Sequence, residues 1–224
     1  MTARPFQIRY EHLPVVLPVF PLAGSLLLPD GRLPLNVFEP RYLAMVEDAL
    51  GAKRLIGMIQ PNETAPRAAS VEPPLYETGC AGRVAQFAET GDGRLLITLA
   101  GVCRFKVARE IDGVRGYRRV AADWAPFRTD LEPPPADFKI DRTKLLAALR
   151  TYLALNEIKV DWGAIEGTPD AALAIVLPMS CPFEAREKQA MLECPTQDER
   201  VALLIALMEM AVAEGKGGGG MVKQ

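Results

Sequence analysis

The period of the apolar residues changes once along this chain, from two to about 3.6, and the change falls at the stiff connector Glu132-Pro133-Pro134-Pro135. A parallel α/β sheet needs strands and helices to alternate throughout, so a single switch specifies an α+β fold instead. We divide the chain into a rolled β-barrel subdomain over 1–128 with one covering helix, a C-terminal helical bundle over 129–214, and a flexible glycine-rich tail over 215–224. The tail can bury almost nothing and is expected to be mobile.

In the first part, short β-branched or alternating runs bounded by Pro and Gly predict strands at Val15–Phe20, Leu33–Phe38, Leu55–Gln60, Gly82–Ala88, Arg94–Ala100, Val102–Arg109 and Tyr117–Trp124. Such closely spaced strands favour a small barrel or rolled sheet. The clearest hairpin joins Gly82–Ala88 to Arg94–Ala100 through Thr90-Gly91-Asp92-Gly93, whose Asp-Gly pair supplies positive φ angles. Gly101 is expected to break the run, so that a new strand starts with Cys103, Phe105 and Val107 buried and Arg104 and Lys106 in water. One helix interrupts the strands. It starts near Glu39-Pro40 and stops near Leu50-Gly51, with glycine at the C′ position; Tyr42, Val46, Ala49 and Leu50 share a stripe, and Glu47 and Asp48 face away.

In the second part, Leu145, Leu149, Tyr152 and Leu153 define a first helix. Thr168-Pro169-Asp170 reads as the N-cap, N1 and N2 of a second, which ends before Pro178. A third runs from Cys181-Pro182 to Glu193, capped by Ser180 or Cys181. Thr196-Gln197-Asp198-Glu199 is a capping box for a last helix carrying Val201, Leu204, Ile205, Met208 and Val212.

The net charge of −2 and pI near 5.6 give no broad positive field to attract phosphate, so nucleic acid is not the expected partner. Met1–Tyr10 has no apolar signal region, and no run approaches the ~18 apolar residues of a membrane span. The expectation is a cytoplasmic protein with no membrane partner. Cys80, Cys103, Cys181 and Cys194 are scattered and His12 is the only histidine, whereas a structural zinc needs clustered ligands at short paired spacings. The cysteines are expected to be free thiols.

Catalytic patterns are missing from the sequence. Ser25, Ser70 and Ser180 lie in no nucleophile elbow, and Glu47-Asp48 and Asp198-Glu199 sit on helix surfaces. There is no GxxxxGK[ST] loop to cradle phosphates. The expectation is therefore a non-enzyme, with no cofactor, no metal and no catalytic residues.

Leu17-Pro18-Val19-Phe20-Pro21-Leu22, Leu28-Pro29 and Leu33-Pro34-Leu35-Asn36-Val37-Phe38-Glu39-Pro40-Arg41-Tyr42 resemble the opening signature of the N-terminal, substrate-recognition domain of Lon proteases. The order continues through Ile56-Gly57-Met58, Tyr76-Glu77-Thr78-Gly79-Cys80-Ala81-Gly82, Gly93-Arg94 and Leu99-Ala100-Gly101-Val102-Cys103-Arg104-Phe105, and more loosely through Glu187–Glu193 and Glu199-Arg200. The resemblance implies a PUA-like β-barrel followed by a helical bundle, in a stand-alone form without the ATPase and protease domains. It also implies recognition of unfolded or tagged proteins and self-association; a separate protease or chaperone is a further partner to expect beside it. The motif residues, Phe20 and Pro40 included, are expected to be structural: Phe38, Tyr42 and Phe105 in the core, Pro21 and Pro34 shaping turns, Gly79, Gly82 and Gly101 giving backbone freedom, and Glu39, Arg41 and Arg104 pairing across sheet and helix.

The functional expectation is a non-catalytic protein-binding module with an apolar groove between barrel and bundle. The alternatives are an ATP-dependent peptidase-related protein, or a hydrolase using Cys80 or Cys103, and an RNA-binding PUA-like module.

Overall fold

The computed structural model describes residues 8–65, 72–133, 135 and 138–215. The expected mobile tail, apart from Gly215, lies outside the described residues, as does most of Met1–Tyr10. The chain separates into two compact units, residues 1–133 and 134–224, within the proline run.

The first unit is a single sheet of β1 (Val16–Pro21), β2 (Arg32–Val37), β3 (Leu55–Ile59), β4 (Thr78–Glu89), β5 (Leu95–Val114) and β6 (Tyr117–Asp123), in the order β2-β5-β4-β3-β1-β6. β5 also pairs with β6, so the strands from β5 round to β6 close into a ring, and β2 hangs from the first half of β5. Among the described strand pairs only β1–β3 is parallel. Leu17, Val19, Leu55, Ile59, Ala81, Cys103, Phe105 and Val120 from β1, β3, β4, β5 and β6, with Trp124 just after β6, form one buried cluster.

Gly101 does not break the strand: β5 runs twenty residues through it. The register slips there by one residue, from Ala81↔Cys103 to Gly82↔Gly101, which is a bulge that bends the strand without ending it. A Cβ on Gly101 would lie 1.9 Å from the Leu28 carbonyl oxygen, and the Gly101 N–H donates to Gly31 O at 2.8 Å. The glycine is there for close backbone approach. In the Thr90–Arg94 turn only Gly93 has positive φ, at 79°; Asp92 instead accepts from the Thr90 hydroxyl. A second tight turn, Arg115 (φ 50°) and Gly116 (φ 87°), joins β5 to β6.

Helix α1 (Pro40–Leu50) starts as expected, with Glu39 as N-cap and proline next. It buries Tyr42, Val46 and Ala49, together with Ala44 and Met45, and leaves Leu50 half-buried. Gly51 has φ −73°, so the left-handed residue after the helix is not glycine but Arg54, at φ 60°.

The second unit contains α2 (Arg142–Leu155), α3 (Trp162–Gly167), α4 (Asp170–Ser180), α5 (Ala185–Glu193) and α6 (Gln197–Ala213). α2 buries Leu145, Leu149, Tyr152 and Leu153, and α6 buries Val201, Leu204, Ile205 and Met208. α2, α4 and α5 all pack on α6. Several expected boundaries move. Pro169 rather than Thr168 is the N-cap of α4, and the helix runs through Pro178, which is buried with Leu173, Ala174 and Leu177. α5 begins at Ala185, not Cys181, because Glu184 and Glu187 form a reciprocal capping box. At α6 the Thr196 hydroxyl accepts from Glu199 N–H at 3.2 Å, while the Glu199 carboxylate meets the Thr196 hydroxyl rather than the backbone amide.

Candidate functional site

Where β2, the end of β4 and the start of β5 extend beyond the ring, the sheet carries large apolar side chains in water. Phe38 is 60%, Phe87 50% and Leu96 48% exposed. The register sets Pro34, Thr98 and Gln86 in one row, Leu35, Ile97 and Phe87 in the next, and Asn36, Leu96 and Ala88 in the third. Side chains of alternate rows share a face. These rows line a shallow concavity of about 490 Å³. Phe87 and Leu96 stand in adjacent rows and so on opposite faces, which leaves both faces of this sheet end with apolar side chains in water.

Of the signature, Pro34, Leu35, Asn36 and Phe38 lie at this sheet end, and the motif residues expected to be structural, Phe38 apart, lie elsewhere. Phe20 is buried against Tyr42, ring centroids 4.1 Å apart, and Arg41 lies over the Tyr42 ring at 4.6 Å. Gly79 and Gly57 leave room for the Phe105 ring, and Gly82 for Leu27 and Leu99. Pro21 ends β1 and Pro40 opens α1. The expected pairing of Glu39, Arg41 and Arg104 across sheet and helix is not found as one network. Arg41 binds Glu39 at 3.1 Å and also Glu72, but Arg104 turns to Asp130, at 2.8 Å. Phe38 is the correction that bears on function, since it was expected in the core and stands in solvent beside Arg94, 5.7 Å from its ring centroid. Phe87 and Leu96 were read only as strand residues. The consecutive pair Leu95-Leu96 was the one sign that both faces of β5 are apolar there.

A second cluster braces α1 to the β5–β6 hairpin. Arg115 donates to Glu47 and Asp48, each at 2.8 Å, and the Tyr117 hydroxyl donates to Asp48 at 2.8 Å. Arg118 binds Glu110 and the carbonyl of Pro73. These charges neutralise one another within the cluster, as expected of a structural network.

The cysteines are free and buried. Burial pushes the thiols of Cys103 and Cys181 up to about 12 and raises that of Cys80 well above the ordinary thiol range. A nucleophilic cysteine needs the opposite shift, so the hydrolase reading of Cys80 or Cys103 has no chemical support. His12 is exposed, and no cluster of three His, Cys, Asp or Glu able to hold a metal occurs among the described residues. Among them, too, no helix is long and apolar enough to cross a membrane.

The architecture places the chain among the α+β domains found at the N-terminus of Lon proteases. It is similar to the Lon N-terminal domain protein of Xanthomonas campestris, with a TM-score of 0.58 and 24% identity over 85% of this chain and 97% of that one. It is likewise similar to the N-terminal domain of the Mycobacterium avium complex Lon protease, with a TM-score of 0.59 and 16% identity over 87% and 98%. The family model of the ATP-dependent protease La (LON) substrate-binding domain matches residues 16–210, and the chain belongs to that family.

Among full-length relatives, Lon protease 2 of Myxococcus xanthus is 27% identical over 92% of this chain and 25% of its own length. The Lon protease of Anaeromyxobacter dehalogenans is 34% identical over 46% of this chain and 12% of its own. The chain thus spans a quarter or less of these relatives, and its match is to the substrate-binding part rather than to an ATPase or protease part.

Proposed function

We propose that this chain is a non-catalytic protein-binding module that captures unfolded or tagged client proteins in the cytoplasm, through exposed apolar segments, for a separate protease or chaperone. The observation that carries the reading is the set of exposed apolar side chains at the free end of the sheet, Phe38, Phe87 and Leu96, which leave both of its faces apolar in water. Apolar side chains left in water at one place gain free energy when a partner covers them, roughly 25 cal/mol for each Å² removed from water. Membership of the substrate-binding family supports the same reading. The closed strand pairing supports a PUA-like barrel, and the packing of α2, α4 and α5 on α6 supports a helical bundle beyond the proline run.

The test is a fluorescence titration with a permanently unfolded protein, carboxymethylated α-lactalbumin, beside the native form. Saturable binding of the unfolded form only is expected, weakened about tenfold by Phe38→Ser with Phe87→Ser. Absence of binding at high micromolar concentration overturns the proposal. Casein incubated with the protein, with and without ATP, is expected to stay intact.

A further inference from the structure

The end of the sheet that carries the apolar surface also carries an open backbone edge. β2 pairs with β5 on one side, and on its other side no backbone hydrogen bond joins Arg32–Val37 to any described residue. The ladder runs unbroken from Arg32↔Ala100 to Val37↔Leu95 even though Pro34 has no N–H to give it. Alternate pairs of an antiparallel ladder are bonded, so the bonded ones here are those of Leu33, Leu35 and Val37. The N–H groups of Arg32 and Asn36, and the carbonyls of Arg32, Pro34 and Asn36, therefore point away from the sheet. Pro34 removes one donor, which is how edge strands are kept from pairing indiscriminately, yet every other ladder position stays available.

Resting on the client-binding reading above, we propose that the client is held as an added strand, hydrogen-bonded antiparallel along the outer edge of β2. The side chains set its chemistry. One face of the added strand lies beside Leu33 and Leu35, half-buried apolar residues that gain cover from apolar side chains at alternate client positions. The other face runs from Phe38 at one end to Arg32 at the other. Arg32 is exposed and makes no ion pair among the described residues. The fitting ligand is an extended segment with Val, Ile or Phe at alternate positions, an aromatic or aliphatic residue toward Phe38, and a carboxylate toward Arg32. Backbone bonds supply affinity without demanding one sequence, which suits a receptor for many unfolded chains.

The experiment uses the full chain. Amide hydrogen exchange, with and without carboxymethylated α-lactalbumin, is expected to show slower exchange at Arg32 and Asn36. A fluorescent peptide of alternating Val and Phe ending in Glu is then compared with two versions N-methylated at opposite sets of alternate residues. Methylation of one set blocks the donors facing β2 and is expected to weaken binding about tenfold or more, and methylation of the other set to leave it within about threefold. Equal binding of both methylated peptides, or client-induced protection that spares Arg32 and Asn36, overturns strand addition while leaving client capture standing. Failure of the unfolded protein to bind at all removes the client-binding reading itself. A concentration-dependent dimer that protects the same amides and resists the client assigns the edge to a second copy and also overturns the proposal.

Discussion

Arg104 and Asp130 form a two-pronged ion pair in the interior, Nε to Oδ2 at 2.9 Å and Nη2 to Oδ1 at 2.8 Å, with side chains only 4% and 8% exposed. The backbone N–H of Arg104 donates to the same Oδ2 at 2.9 Å, and the guanidinium lies over the Phe127 ring at 4.5 Å. Burial acts to lower the Arg104 pKa, but hydrogen bonding and attraction to Asp130 outweigh it and hold the guanidinium charged. The pair ties the 3₁₀ turn at Ala125–Leu131, through which the chain leaves the sheet, to β5. Asp130→Ala strands a buried cation and is expected to cost about 3 kcal/mol or more. Urea unfolding measures it; a loss below about 1 kcal/mol would show that water reaches the site.

Gly101→Ala tests close approach against flexibility. The added methyl would meet the Leu28 carbonyl oxygen at 1.9 Å, a backbone atom that cannot rotate away. The turn through Leu28–Gly31 must shift, together with its bonds Asp30 N–H to Gly101 O and Gly101 N–H to Gly31 O. The expected loss is about 3 kcal/mol, against a change of a few tenths for Gly91→Ala in the open turn, where nothing lies within 4 Å. Thermal melts of the two variants compare them directly, and equal melting temperatures would refute the crowding account.

Gly101 also shows how far local sequence reaches. Alternation put Cys103 and Phe105 inside, as they are. It also put Arg104 in water, whereas that side chain is buried against Asp130, a partner 26 residues away that strand alternation does not record. Whether a glycine ends a strand or admits a neighbouring backbone depends on the Leu28 segment, and no pattern within the strand records that. Pro178 is similar: helix rules end α4 before it, yet burial of Leu177 and Pro178 outweighs one missing hydrogen bond. Phe38, expected in the core as a residue of the family motif, lies past the last β2 pair and is 60% exposed. The apolar surface was thus legible as strands and illegible as a site, because exposure at a sheet edge is set by which strands fail to find neighbours.

Asp48 gives the brace between α1 and the hairpin a pH dependence. The Tyr117 hydroxyl bond lowers its carboxyl below the ordinary 3.8, slight burial opposes this, and Arg115 adds to the lowering. A carboxyl depressed in the folded state stabilises it fully above the unfolded value, and that stabilisation is lost as pH falls through the folded value. Asp48→Asn is therefore expected to be less stable than the parent at pH 7. The gap persists down to about pH 4 and closes in stronger acid. Urea midpoints of both proteins from pH 7 to pH 2.5 test this, and a gap independent of pH would mean that the charge on Asp48 contributes nothing.

The thiols separate a binding module from a cysteine enzyme. The Cys103 Sγ lies 3.2 Å from Arg104 O and 3.3 Å from Phe127 O, so it packs the 3₁₀ turn against β5, and its raised pKa leaves almost no thiolate at neutral pH. In the native protein at pH 8, a disulfide reagent such as Ellman's is expected to label none of the four cysteines within minutes and all four in guanidinium. Cys103→Ala removes a buried group and is expected to cost about 1–2 kcal/mol of stability, with binding of unfolded protein unchanged once the variant is held below its melting range. Fast labelling of a single native thiol, or loss of function from Cys103→Ala in a folded protein, would instead place chemistry at that sulfur.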